Sequence, residues 1–202
     1  MSAIPVFDKP VTEAEYLAFE RGNTGRHAFI DGEIFAMGDA SRSHNLIMSS
    51  VIATLYSQLR GKGCETYPSD MKVRTPATGS YAYPDVTVVC GEARFADDQR
   101  DVLLNPTLIV EVLSPATEAF DRGVKFQRYR ELNSLREYIL IAQDRPFIER
   151  FVRLDDGTWR LSEASGPGAT VDLTAIACQL ALADVYEQAA FDSGGNGGQA
   201  EP

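Results

Sequence analysis

Leu108-Ile109-Val110-Glu111-Val112-Leu113, with Asn105-Pro106 before it and Ser114-Pro115 after it, decides the fold. The run is short, apolar and bounded by turn-forming pairs. It therefore reads as a strand buried on both faces, interrupted only where the Glu111 carboxylate emerges. A strand of that kind belongs inside a sheet covered by other elements.

Upstream, Tyr83 to Cys90 and Glu65 to Arg74 read as two further strands, with loops marked by Pro76, Gly79 and Gly91. Before them Met48, Val51, Ile52, Leu55 and Leu59 recur at spacings of three and four. They define an amphipathic helix from His44 to Arg60, with Ser41 or Ser43 as cap and Gly61 and Gly63 as stop. Thr12 and Glu15 form a capping box that opens a helix to about Glu20, and Asp31-Gly32 predicts a tight hairpin over Phe29 to Phe35. Downstream, a helix is expected from about Thr117 to Leu132. Strands follow at Glu137 to Ala142, Phe147 to Leu154 and Trp159 to Ser162, then a short amphipathic segment at Leu180 to Tyr186. Helices and strands are mixed, so the fold class is α/β (α+β): a central mixed β-sheet flanked by helices. One domain is expected over 1–191, and the Gly-, Ser- and Asn-rich stretch 192–202 is expected to be a disordered tail.

The chain has 202 residues, 44% of them hydrophobic, enough for one core. Its longest apolar runs are too short to cross a bilayer, and Met1 to Pro10 lacks the pattern of a leader, so a cytoplasmic protein with no membrane contact is expected. Cys64, Cys90 and Cys178 are odd in number and widely spaced, which reads as three reduced thiols rather than a disulfide framework or a zinc site. The net charge of -10 opposes casual nucleic-acid binding. A local exception is Arg122 to Arg136, where Arg122, Lys125, Arg128, Arg130 and Arg136 face the single acid Glu131. That stretch could dock a phosphate backbone or be an ordinary solvated face.

A carboxylate inside an apolar strand costs several kcal/mol unless it is compensated. Glu111 is thus half of a salt bridge, a hydrogen-bonded structural group or a metal ligand. Asp85, at the start of its strand after Pro84, converges on Glu111 if the two strands are neighbours. Two carboxylates at one point suit a hard divalent cation that leaves positions open for phosphate oxygens. Lys125 shares a helical stripe with Tyr129 and Leu132, which turns it toward the sheet; the alternative is a snorkelling stem with its ammonium in water.

Tyr83-Pro84-Asp85-Val86, the segment Pro106 to Pro115, and Asp121-Arg122-Gly123-Val124-Lys125-Phe126 together resemble the Uma-two family of the PD-(D/E)XK nuclease superfamily. The resemblance runs from about Val11 to Tyr186. It implies a restriction-endonuclease-like fold and a metal-dependent endonuclease that hydrolyses phosphodiester bonds of DNA, RNA remaining open as substrate. The implied catalytic set is Asp85, Glu111 and Lys125. The implied metal ligands are Asp85, Glu111 and the main-chain carbonyl of Val112, for magnesium or, second, manganese. Arg122 and Arg128 are candidate phosphate-binding residues, and His44, Glu33 and Asp70 are secondary candidates; His44 could equally be a capping or packing residue. The sequence departs from the pattern twice. Leu113 stands where the superfamily usually has lysine, and Ala28 where relatives commonly carry glutamate.

Those departures and the acidic charge keep a second reading in play, a nuclease fold that no longer cuts and serves as a binding or assembly module. Many enzymes of the superfamily act as dimers, and Phe147 to Ser162 could supply a pairing hairpin. A sugar hydrolase finds little support in the single Trp159, and His27 and His44 precede no recognisable serine or cysteine nucleophile motif.

Overall fold

The computed structural model describes residues 6–76, 79–189 and 191. The expected tail from 192 lies outside the described residues. At the centre is a six-stranded mixed sheet of order β11-β10-β9-β8-β6-β3. Here β3 is Cys64–Pro68, β6 Val86–Cys90, β8 Leu108–Leu113, β9 Glu137–Ala142, β10 Phe147–Arg153 and β11 Trp159–Ser165. Only the β8–β9 pair is parallel; the others are antiparallel.

All six residues of β8 are buried, and its alternation sorts them onto two faces. Leu108, Val110 and Val112 pack under Ile47, Val51, Leu55 and Leu59 of the long helix α2 (Arg42–Leu59). Ile109 and Leu113 turn the other way, onto Phe126, Tyr129, Leu132 and Leu135. Glu111 lies between those two in sequence and so shares their face.

A second sheet, order β2-β1-β5-β4-β7, stands beside the first. Its hairpin β1 (His27–Ile30) and β2 (Glu33–Ala36) turns at Asp31 and Gly32, both with positive φ, as that dipeptide predicts. Helix α1 (Glu13–Arg21) carries the capping box at Thr12 and Glu15 and lays Tyr16 against Phe29 and Tyr81.

Three expectations are corrected. The strand read from Glu65 to Arg74 is two, because the chain turns at Ser69-Asp70 and β4 (Lys72–Arg74) joins the second sheet. Likewise Tyr81–Ala82 forms β5 there, next to β4, which in turn pairs with β7 (Val102–Leu103). The helix read from Thr117 to Leu132 is shorter and not α throughout: it runs without a gap as a short α3 (Glu118–Phe120), a π-helical turn at Asp121–Lys125 and α4 (Phe126–Tyr129). The short amphipathic segment expected at Leu180 to Tyr186 begins as the end of β13 (Cys178–Ala181), which pairs with β12 (Thr170–Leu173), and continues as the helix α5 (Leu182–Val185).

The third concerns the cysteines. Cys64 and Cys90 are disulfide-bonded across β3 and β6, where they are register partners, and only Cys178 is free and buried. Spacing along the chain could not reveal that pairing, because the strand register brings together residues 26 apart. No helix of the described residues is long and apolar enough to cross a membrane.

Candidate functional site

Asp85 sits one residue before β6. The ladder between β6 and β8 starts at Val86 and Val110, so the next N–H of β8 that faces β6, on Val112, would otherwise lack a strand partner. The Asp85 side chain takes that place: the Val112 N–H donates to Asp85 Oδ2 at 2.7 Å. The same oxygen lies 3.1 Å from His44 Nε2. His44 is in the first turn of α2, where its own N–H is capped by Ser41 Oγ at 3.1 Å. Its Nδ1 is buried without a hydrogen-bond partner among the described residues.

On the neighbouring strand Glu111 is almost wholly buried. Its Oε2 lies 3.0 Å from Lys125 Nζ, and its Oε1 accepts from the Tyr129 hydroxyl at 3.3 Å. Lys125 comes from the π-helical turn, and its ammonium also pairs with Asp121 Oδ1 at 3.0 Å. The turn widens the helix where Tyr138 of β9 donates its hydroxyl to the Asp121 carbonyl at 3.0 Å, a side chain entering the helical ladder from the sheet. Asp121 and Lys125 thereby both point inward, each under 5% exposed.

Two carboxylates thus contact one ammonium, and a third, Asp85, acts on it through charge alone. Burial, and then the neighbouring charges of Asp121 and Asp85, push the Glu111 carboxyl well above the usual range against the pull of Lys125. Burial works against the Lys125 ammonium too, yet Asp121 and Glu111 together overcome it and hold the lysine protonated. The cluster has negative charge in surplus.

Asp85, Glu111, Val112, His44, Asp121 and Lys125 all line one cavity of about 100 Å³, which Arg26, Asn45 and Ser69 help to close. The sequence-derived trio therefore lines one cavity. Glu33 and Asp70 do not line this cavity: Glu33 is exposed at the start of β2, and Asp70 is exposed on the turn before β4, 3.4 Å from Arg26. Nor do Arg122 and Arg128. The first is paired with Glu118 and the buried Glu149, the second with Asp31 and Glu131. Sequence reasoning missed Asp121, although its i, i+4 spacing from Lys125 was a usable signal, and it missed Arg26, which stands in no pattern.

The donors suit a hard cation in number and kind: two carboxylates from adjacent strands and the main chain at Val112, beside a surplus of negative charge. Among the described residues no three His, Cys, Asp or Glu side chains form a metal-holding group on their own, so a main-chain donor, water and substrate would have to complete the shell.

A family model described as "Uma2: Putative restriction endonuclease" matches residues 13–183. Two uncharacterized proteins of Synechocystis sp. are similar. One, sll1609, is 36% identical over 166 residues, covering 82% of this chain and 94% of its own length; the other, slr1290, is 34% identical over 177 residues, covering 88% and 92%. A crystal structure described as a putative nuclease belonging to DUF820, from Anabaena variabilis, superposes with a TM-score of 0.73 at 16% identity, covering 88% of this chain and 98% of that one. That likeness shows the fold, which is restriction-endonuclease-like. The match over most of its length makes this chain a member of the Uma2 family.

Proposed function

We propose that this chain is a magnesium-dependent endonuclease that hydrolyses phosphodiester bonds of DNA at the cavity formed by Asp85, Glu111 and Lys125. The observation that carries the reading is the convergence of two strand-borne carboxylates with a buried, doubly paired lysine at one cavity. Asp85, Glu111 and the Val112 carbonyl would hold the cation. The chemistry it supplies when bound is charge neutralisation at the phosphate and a lowered pKa for the attacking water.

Each residue has a part of its own. The Val112 N–H and His44 fix one oxygen of Asp85, which aims the other. Glu111 is held at both oxygens, Oε1 by the Tyr129 hydroxyl and Oε2 by the Lys125 ammonium. Lys125 keeps its proton at the active pH and offers a fixed positive charge where negative charge grows on the phosphate. In this role it stands in for the lysine that the superfamily places at the position of Leu113. Asp121 holds the ammonium from the far side.

The test is incubation of the purified protein with DNA and RNA in magnesium or manganese. Cutting that Asp85→Asn, Glu111→Gln and Lys125→Met each reduce by about 10³-fold supports the reading. Cutting undiminished in all three, or none by the wild type on any substrate, contradicts it.

A further inference from the structure

The cavity is acidic, and a polyanion has to enter it. Two of its lining residues carry permanent positive charge, Lys125 and Arg26. Lys125 is neutralised by Glu111 and Asp121, so its net attraction for a distant phosphate is small. Arg122 and Arg128, which look available in the sequence, are paired away from the cavity.

Arg26 is differently placed. Its main chain is fixed at the base of the β1–β2 hairpin, where its carbonyl accepts the Met37 N–H at 2.9 Å. The next residue, His27, is anchored through its N–H and ring to the buried Glu20. The guanidinium is held along one side only: Nη1 donates to Ser69 Oγ at 2.6 Å and to the Ser69 carbonyl at 3.1 Å. Its carboxylate neighbour, Asp70, is 3.4 Å away and 85% exposed, a pair that water and salt weaken easily. Nε and Nη2 carry no hydrogen bond among the described residues. Those two donors form the edge of a guanidinium that matches two oxygens of a phosphate.

We propose that Arg26 is the substrate-binding arginine of this site, gripping a phosphodiester through Nε and Nη2 while Ser69 holds Nη1. This rests on the phosphodiesterase reading above and adds to it the group that draws a nucleic acid into an acidic cleft. A guanidinium braced on one edge has less side-chain entropy to lose on binding than a free arginine.

Fluorescence anisotropy of a labelled, phosphorothioate-linked duplex in magnesium, over a range of salt concentrations, tests it. Arg26→Ala should bind about 10-fold more weakly, and the slope of log affinity against log salt should fall by about one. Arg26→Lys should recover the slope but only part of the affinity, since a point charge replaces a fork. Arg60→Ala, which removes the same charge at an exposed position outside the cavity, should behave as wild type. Thermal melting of the Arg26 variants should match wild type. Wild-type affinity and slope in Arg26→Ala would overturn this inference and leave the phosphodiesterase reading standing. Absence of binding by the wild type would overturn both.

Discussion

Glu111 and Glu137 lie on the paired parallel strands β8 and β9, both deeply buried, and they do different things. Glu137 is matched in charge at one oxygen: its Oε1 accepts from Arg150 at 2.7 Å, from the Thr174 hydroxyl at 2.8 Å and from the Ala175 N–H at 3.0 Å, while its Oε2 is buried without a hydrogen-bond partner among the described residues. One charge meets one opposite charge, and these bonds tie β9 to β10 and to the loop after β12. Glu111 shares its single ammonium with Asp121, has Asp85 close enough to repel it, and opens onto a cavity. A buried carboxylate is therefore no sign of function by itself. The sign is uncompensated charge beside open space.

The comparison can be broken in several places. The largest expected effect is on cutting, where Glu111→Gln should lose about 10³-fold and Glu137→Gln less than tenfold in steady-state assays. Stability should answer in the opposite sense. Glu137→Ala strands Arg150 in the interior and should cost roughly 3–5 kcal/mol in urea unfolding. Glu111→Gln removes surplus charge, so without divalent metal at pH 8 it should leave stability equal to wild type or raise it by about 1 kcal/mol. A loss of similar size in both variants would erase the distinction.

The pH dependence sharpens it. A carboxyl whose folded pKa lies above its unfolded value favours the protonated protein, so metal-free wild type should lose stability as pH rises from about 4.5 through the raised Glu111 value. The slope should be absent in Glu111→Gln. A smaller effect of opposite sign comes from Asp101, which Arg21 first and then Lys72 hold down at about 2. Its contribution is present above the ordinary value of 3.8 and is lost as pH falls toward 2, so Asp101→Asn should flatten the acid limb of unfolding in that window.

Much of the site was legible because it follows local periodicities. Alternation along β8 puts Glu111 on the face opposite Val110 and Val112, and the helical stripe of Lys125, Tyr129 and Leu132 covers that face. The strand start at Asp85 needed one further assumption, that β6 and β8 are neighbours, and they are. What stayed hidden depends on contacts made at a distance. Tyr138, from the sheet, meets the helix at the π-helical turn, and the register of β3 against β6 joins Cys64 to Cys90. Arg26 reaches the cavity only because the second sheet stands beside the first. No pattern in Gly25-Arg26-His27 marks it.

Calorimetric titration with magnesium addresses the uncompensated charge most directly. Heat of binding in the wild type and in Glu137→Gln, lost in Asp85→Asn and in Glu111→Gln, is the expected result. No binding by the wild type, or binding that survives both cavity substitutions, would contradict the account.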